Sequence, residues 1–116
     1  MQRYRSSPLW QRSKSPAVVV YRVTAEWPSG ARFGLTSQTR RAAISVMGNI
    51  AEGQGRSGGR ELKHRLSIAN GSLCEMEAHL LLGIDLGFNT EDEITEALAL
   101  STEVGRMLTA SLNRLE

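Results

Sequence analysis

The sequence predicts an all-α fold, an antiparallel up-down four-helix bundle. Three observations carry that expectation. Apolar residues recur at three- and four-residue spacing, turn signals divide the chain into four segments, and aromatic residues and prolines are scarce. A β-sandwich would need more aromatic and β-branched strands set between regular turns. A chain of 116 residues fits one domain, 1–116, whose core needs no disulfide or metal staple.

The first helix carries two start signals. Ser7-Pro8 offers a hydroxyl N-cap followed by proline at the first helical position, and Ser15-Pro16 repeats it eight residues later. Pro16 lacks an N–H, and its ring clashes with the preceding turn of a helix running through it. The expectation is a short N-terminal segment over 1–14 and a helix over 15–26, ended by Trp27-Pro28. Ala17–Val20 also reads as a strand, but one strand in a helical chain has no partner.

A loop over Pro28–Gly34 leads to a second helix over 35–54. Its apolar stripe is Ala43, Ile44, Val46, Met47, Ile50 and Ala51, at 100° per residue. The opposite face is small or polar: Arg41, Ser45, Gly48 and Glu52. Gly53, Gly55, Gly58 and Gly59 then break the chain.

The third helix, 59–86, shows the clearest periodicity. Leu62, Leu66, Ala69, Leu73, Met76, Leu80 and Ile84 form one core-facing stripe. Gly87 suits the left-handed position after the helix, and Phe88 suits the hydrophobic contact of a Schellman cap. The fourth helix, 91–115, opens with Thr90-Glu91-Asp92-Glu93, a capping box. Its stripe is Ile94, Ala97, Leu98, Val104, Leu108, Leu112 and Leu115. Acids in its first turn and Arg114 in its last suit the helix dipole.

The third helix has a second stripe: Glu61, His64, Ile68, Ser72, Glu75, His79, Leu82 and Leu86. It touches either a second neighbour within the bundle or another subunit. On the second reading the interface comprises Ser45, Gly48 and Glu52 of helix two with Ile68, Glu75, His79, Leu82 and Leu86 of helix three.

Charge is unevenly placed. Residues 1–65 hold twelve Lys/Arg against three Glu, and residues 66–116 hold two Arg against nine acids. Such asymmetry marks a polyanion-binding half, or basic helices lying beside acidic ones. Arg40, Arg41, Arg56, Arg60, Lys63 and Arg65 are the candidate nucleic-acid contacts. Arg40 also falls on the apolar stripe of helix two, where a charge must be paired or reach the edge. Glu52, Glu75 and Glu77 are its candidate partners.

Catalytic chemistry finds no foothold. Cys74 is the sole cysteine, which excludes an internal disulfide or a thiolate metal site. No serine or cysteine has a nucleophile context. Glu61-Leu62-Lys63-His64 has the Glu-x-x-His spacing of di-iron bundles, but such a site needs a second copy and further carboxylates from other helices. His79 follows Glu75 by four, and His64 and His79 stand about 22 Å apart on one helix. The glycines at 53–59 follow a helix and lack the Gly-Lys-Ser/Thr ending of a phosphate loop. In a milder form, their N–H groups beside Arg56, Arg60 and Lys63 hold one phosphate. We therefore expect no enzyme, catalytic residue, metal, cofactor or small-molecule substrate. The basic start has no apolar region after it, and the longest apolar runs, Ala17–Tyr21 and Leu80–Leu82, are too short for a bilayer. A cytoplasmic protein without membrane contact is expected.

The stretch Phe33–Ser45, then Asn49-Ile50-Ala51-Glu52-Gly53-Gln54-Gly55-Arg56 and Ser67–Glu77, resembles the four-helix-bundle proteins encoded in intervening sequences of bacterial 23S ribosomal RNA genes. Trp10-Gln11 and Glu103–Leu108 extend the match over nearly the whole chain. The resemblance implies an antiparallel bundle assembling into a homo-oligomer, a pentameric ring in related members. The accessory variability-determinant proteins of diversity-generating retroelements are similar bundles, which bind nucleic acid and a reverse transcriptase through a basic surface. No enzymatic activity comes with either group. By this resemblance the chain is a homo-oligomeric accessory protein binding RNA or DNA non-specifically; the alternative is a protein–protein scaffold. Ser15-Pro16 departs from the family pattern, which places ordinary helix formers there.

Overall fold

A computed structural model describes residues 3–55 and 58–115. Among the described residues four α-helices make the fold: α1 (Pro8–Thr24), α2 (Ser37–Gly55), α3 (Gly59–Asp85) and α4 (Glu91–Arg114). No strand occurs among the described residues. Both α1 and α3 pack against α2 and α4, so the four surround one elongated core in a molecule of 43 × 23 × 21 Å. Val20, Ile50, Leu66, Met76, Leu80, Ile94 and Leu108 fill its centre and are fully buried. Each of these side chains stabilises the fold by about 1.5–3 kcal/mol through loss of water contact.

The first helix departs from expectation. It starts at Pro8, not near Ser15, and runs through Pro16 to Thr24. The Ser7 hydroxyl caps it by accepting from the Trp10 N–H at 3.2 Å. Pro16 costs the helix one backbone bond, an effect of about 3 kcal/mol in isolation. Packing offsets it: Pro16 is buried, and so are Ser13, Ala17, Val19 and Val20 around it. The Ser13 hydroxyl is satisfied by donating to the Trp10 carbonyl at 2.6 Å.

The segment between α1 and α2 is compact. Trp27 is buried, a 3-10 turn spans Ser29–Ala31, and a wide turn follows over Arg32–Thr36. Gly34, at φ −115° and ψ −110°, puts a kink inside that turn.

Along α2 the buried face is Thr39, Ala42, Ala43, Val46, Ile50 and Gly53. The expected stripe was phased too far round, since Ile44 is 49% exposed. A wheel that counts apolar residues overlooks Thr39, whose hydroxyl donates to the Leu35 carbonyl at 2.7 Å and so enters the core at little cost. Ser101 is a parallel case on α4: it is buried, and its hydroxyl donates to the Glu77 carboxylate.

The expected termini of α3 and α4 are present. Gly87 adopts φ +78°. The Phe88 N–H reaches the Gly83 carbonyl at 2.8 Å, and the Gly87 N–H reaches that of Ile84 at 2.9 Å. These are the two bonds of a Schellman motif. Thr90 and Glu93 close the capping box, the Thr90 N–H donating to Glu93 Oε1 at 2.7 Å and the Glu93 N–H to Thr90 Oγ1 at 3.3 Å.

Candidate nucleic-acid interface

The six expected basic contacts separate into different environments. Arg56 lies outside the described residues. Arg40 and Arg41 stand in the first turns of α2, whereas Arg60, Lys63 and Arg65 stand in the first two turns of α3. Arg65 meets α2 near its other end, at Asn49 and Glu52. From Arg41 to Glu52 the α2 helix rises about 16 Å at its standard pitch. One chain therefore presents two separated basic clusters.

Arg40 is half-buried and turned towards α1. Its Nε donates to Thr24 Oγ1 at 2.8 Å and its Nη2 to the Tyr21 carbonyl at 3.3 Å. Its guanidinium carbon sits 4.6 Å from the centre of the Tyr21 ring. The expected carboxylates are occupied elsewhere: Glu52 with Arg65, Glu75 beside His79, and Glu77 with Ser101. Arg40 thus bonds a hydroxyl and a carbonyl at the end of α1, where the helix dipole favours a cation.

Arg65 is tied at all three nitrogens. Nε donates to Glu61 at 2.9 Å, Nη1 to Asn49 Oδ1 at 3.1 Å, and Nη2 pairs with Glu52 at 3.1 Å. Hydrogen bonding to Glu61 raises the Arg65 pKa above its ordinary value; burial opposes this and the Glu52 charge adds to it. Around this clamp α2 and α3 approach closely. A Cβ on Gly53 would lie 3.0 Å from Arg65 Cβ and 3.1 Å from Leu62 Cδ1. One turn further along, the Ser45 and Ser72 hydroxyls meet at 2.8 Å, and Asn49 Nδ2 donates to the Ser45 carbonyl at 2.9 Å.

Arg41, Arg60 and Lys63 are exposed and form no ion pair among the described residues. The cations of α1 differ. Arg12 pairs with Glu103 at 3.1 Å and Arg22 with Glu96 at 3.8 Å, both across to α4. Acids of α4 therefore offset Arg12 and Arg22, Lys14 lies over the Trp10 ring at 4.4 Å, and Arg41, Arg60 and Lys63 keep their charge.

The expected interface set also divides. Ser45 and Glu52 contribute to the α2–α3 seam within the chain. His79 is half-buried, with Nε2 3.7 Å from Glu75 and Nδ1 enclosed without a hydrogen-bond partner. Gly48, Ile68, Glu75, Leu82 and Leu86 are exposed. Glu61 and His64 gather no metal site: no group of three His, Cys, Asp or Glu suited to a metal occurs among the described residues. No helix among them is long and apolar enough to cross a membrane.

The sequence profile of the 23S rRNA-intervening sequence protein family matches residues 5–110. The chain belongs to that family. No curated protein gives a significant match to this intervening-sequence protein. The matched span holds all of α1, α2 and α3 and most of α4. It includes the Arg40 and Arg65 contacts. The departure at Ser15-Pro16 is absorbed within a continuous α1, as its buried surroundings allow.

One basic region was not anticipated from sequence. Arg32 and Phe33 of the wide turn gather with Tyr21, Thr36, Ser37, Arg40, Arg41 and Ile44 around a cleft of about 450 Å³. The signal available was the adjacent pair Arg32-Phe33, a cation beside a large apolar side chain in a segment of turn residues. Nothing in the periodicity brings Tyr21 to it.

Proposed function

We propose that this intervening-sequence protein is a non-enzymatic, cytoplasmic accessory protein that forms a homo-oligomer, a pentamer, and binds RNA or DNA non-specifically. Its helices alternate in direction as an up-down bundle. That arrangement is supported by cross-helix pairs whose numbers rise in one helix as they fall in the next: Arg12 with Glu103 and Arg22 with Glu96, Ser45 with Ser72 and Asn49 with Arg65.

The observation that carries the nucleic-acid reading is the set of cations left after internal pairing. Arg41, Arg60 and Lys63 are exposed and unpaired among the described residues, while Arg12 and Arg22 of α1 are offset by α4. Each such cation that meets a phosphate releases counterions. Arg40 and Arg65 act in this reading as positioning residues, because their donors are engaged within the chain. Two basic clusters per subunit, multiplied around a ring, supply the extended surface that one chain lacks. Contacts with backbone phosphates carry no sequence information.

Self-association rests on the outer faces of α2 and α3. Ile44, Gly48, Ile68, Leu82 and Leu86 lie exposed there, Leu86 at 51%. Apolar side chains in such a group mark interaction surfaces. The same face fits a scaffold that recruits another protein, which is the second reading.

Light scattering with and without RNA, over a range of salt, tests both parts. The expected result is a particle of several chains whose affinity for nucleic acid falls steeply as salt rises. A monomer would overturn the assembly. Absence of binding at low salt, or affinity indifferent to salt, would overturn the nucleic-acid role and leave the scaffold.

A further inference from the structure

The cleft between the end of α1 and the start of α2 combines features that phosphate binding alone does not require. Three guanidinium groups, Arg32, Arg40 and Arg41, line it, and among the described residues no carboxylate does. Its apolar members are exposed. Phe33 is 91% exposed and Tyr21 is 41% exposed, an arrangement that leaves large apolar area in water with no gain to the monomer's core. Arg32 lies 5.7 Å from the Phe33 ring centre, and Arg40 lies 4.6 Å from that of Tyr21. The two rings are thus held beside cations, one on α1 and the other on the turn that follows it.

Aromatic faces interleaved with guanidinium groups suit one ligand chemistry well. An unpaired nucleotide presents a flat base that stacks on an aromatic ring and a phosphate that seeks a cation. A base inside a duplex has both faces covered and cannot use the rings. A peptide or a second subunit could cover Phe33, but an uncompensated group of three arginines would then need acids from the partner. Two acids of α4, exposed Glu96 and half-buried Glu103, are already drawn towards α1.

We propose that this cleft binds an unpaired nucleotide of single-stranded nucleic acid, with the base stacked on Phe33 against Tyr21 and the phosphates on Arg32 and Arg41. Arg40 serves as a positioning residue: its bonds to Thr24 and the Tyr21 carbonyl hold its guanidinium against the Tyr21 ring. The proposal rests on the nucleic-acid reading above and adds to it a preference for single strands.

Fluorescence anisotropy on the full chain tests it, with a labelled oligothymidylate and a labelled duplex of the same length at low salt. The wild-type protein binds the single strand more tightly. Phe33→Ala lowers single-strand affinity by about five-fold or more, the range of one lost base stack, and leaves duplex affinity within about two-fold. Phe33→Trp restores the single-strand affinity. The Arg60→Gln/Lys63→Gln double variant weakens both ligands alike. Equal binding of the two ligands, with Phe33→Ala without effect, overturns the cleft proposal but keeps non-specific binding. Binding of neither ligand overturns both. A Phe33→Ala protein with altered particle mass in light scattering assigns the ring to a subunit contact and overturns the cleft.

Discussion

The indole Nε1 of Trp27 donates a 2.8 Å hydrogen bond to Oδ1 of Asn89, joining the turn after α1 to the turn before α4 across 62 residues of sequence. Both side chains are buried. Gly83 makes the room: a Cβ there would stand 2.7 Å from Asn89 Oδ1 and 3.0 Å from Trp27 Cζ2. Asn89→Ala leaves the indole N–H without its partner, which costs about 1–3 kcal/mol. Gly83→Ala forces the same bond apart and also lowers stability. Thermal melting checks both variants, and an Asn89→Ala protein that melts with the wild type refutes the account.

Gly87 closes α3 at φ +78°, where any other L-residue is strained. Gly87→Ala loses about 1–2 kcal/mol, read as a lower denaturant midpoint with an unchanged slope. Gly48 is the control, since it is helical and has open space around its Cβ position. Alanine there raises stability by about 0.5–1 kcal/mol if the face is solvated, and disturbs assembly if it is a subunit contact.

Arg40 links α2 to the last turn of α1 through a hydroxyl, a carbonyl and a ring. Arg40→Ala lowers stability by about 1.5 kcal/mol, the lower end for bonds made by a charged group, given its partial exposure. Arg40→Lys recovers little, because an ammonium cannot serve Thr24 and Tyr21 with the same planar fork. Calorimetry of the two variants decides; equal recovery by lysine argues for charge alone.

Arg65 and Asn49 form a coupled pair across the α2–α3 seam. In a double-mutant cycle, Arg65→Ala and Asn49→Ala destabilise less together than the sum of their separate effects. Strictly additive losses show that the bond contributes nothing. The carboxylate side of the clamp weakens with added salt, and the Asn49 side does not.

Much of this architecture was legible in the residues. The stripe from Leu62 to Ile84 orders α3 because packing and helical period agree there, and Gly87 and Thr90 mark ends by local chemistry alone. Pro16 misled because the penalty is local and the compensation is tertiary: buried neighbours on α1 come from the whole core. The phase of α2 slipped because Thr39 enters the core through a bond to the Leu35 carbonyl one turn before it, which a hydropathy pattern does not register. Within the candidate site, the basic residue types were visible but their partners were not. Sequence spacing cannot tell Arg65, bound at three nitrogens, from Lys63, bound at none. Tyr21, Arg32 and Phe33 converge only because the turn after Trp27 folds back, a matter of three-dimensional closure.

The pairs Arg12–Glu103 and Arg22–Glu96 also determine how the molecule meets an electric field. They gather neutrality along α1 and α4, and the surplus positive charge falls on the side of α2. The helix α4 is not among those that α2 packs against, and the molecule is 21–23 Å across its short axes. Screening in physiological salt acts over about 8 Å. A polyanion touching α2 therefore senses the nearby arginines, with Glu52 and Glu61 drawn to Arg65, and almost nothing of the acids on α4. The formal net charge of +2 is an average that no approaching strand experiences, and a strand arriving from the α4 side meets balanced charge and little attraction. The protein is electrically one-sided, so that its fold orients an encounter before any contact is made.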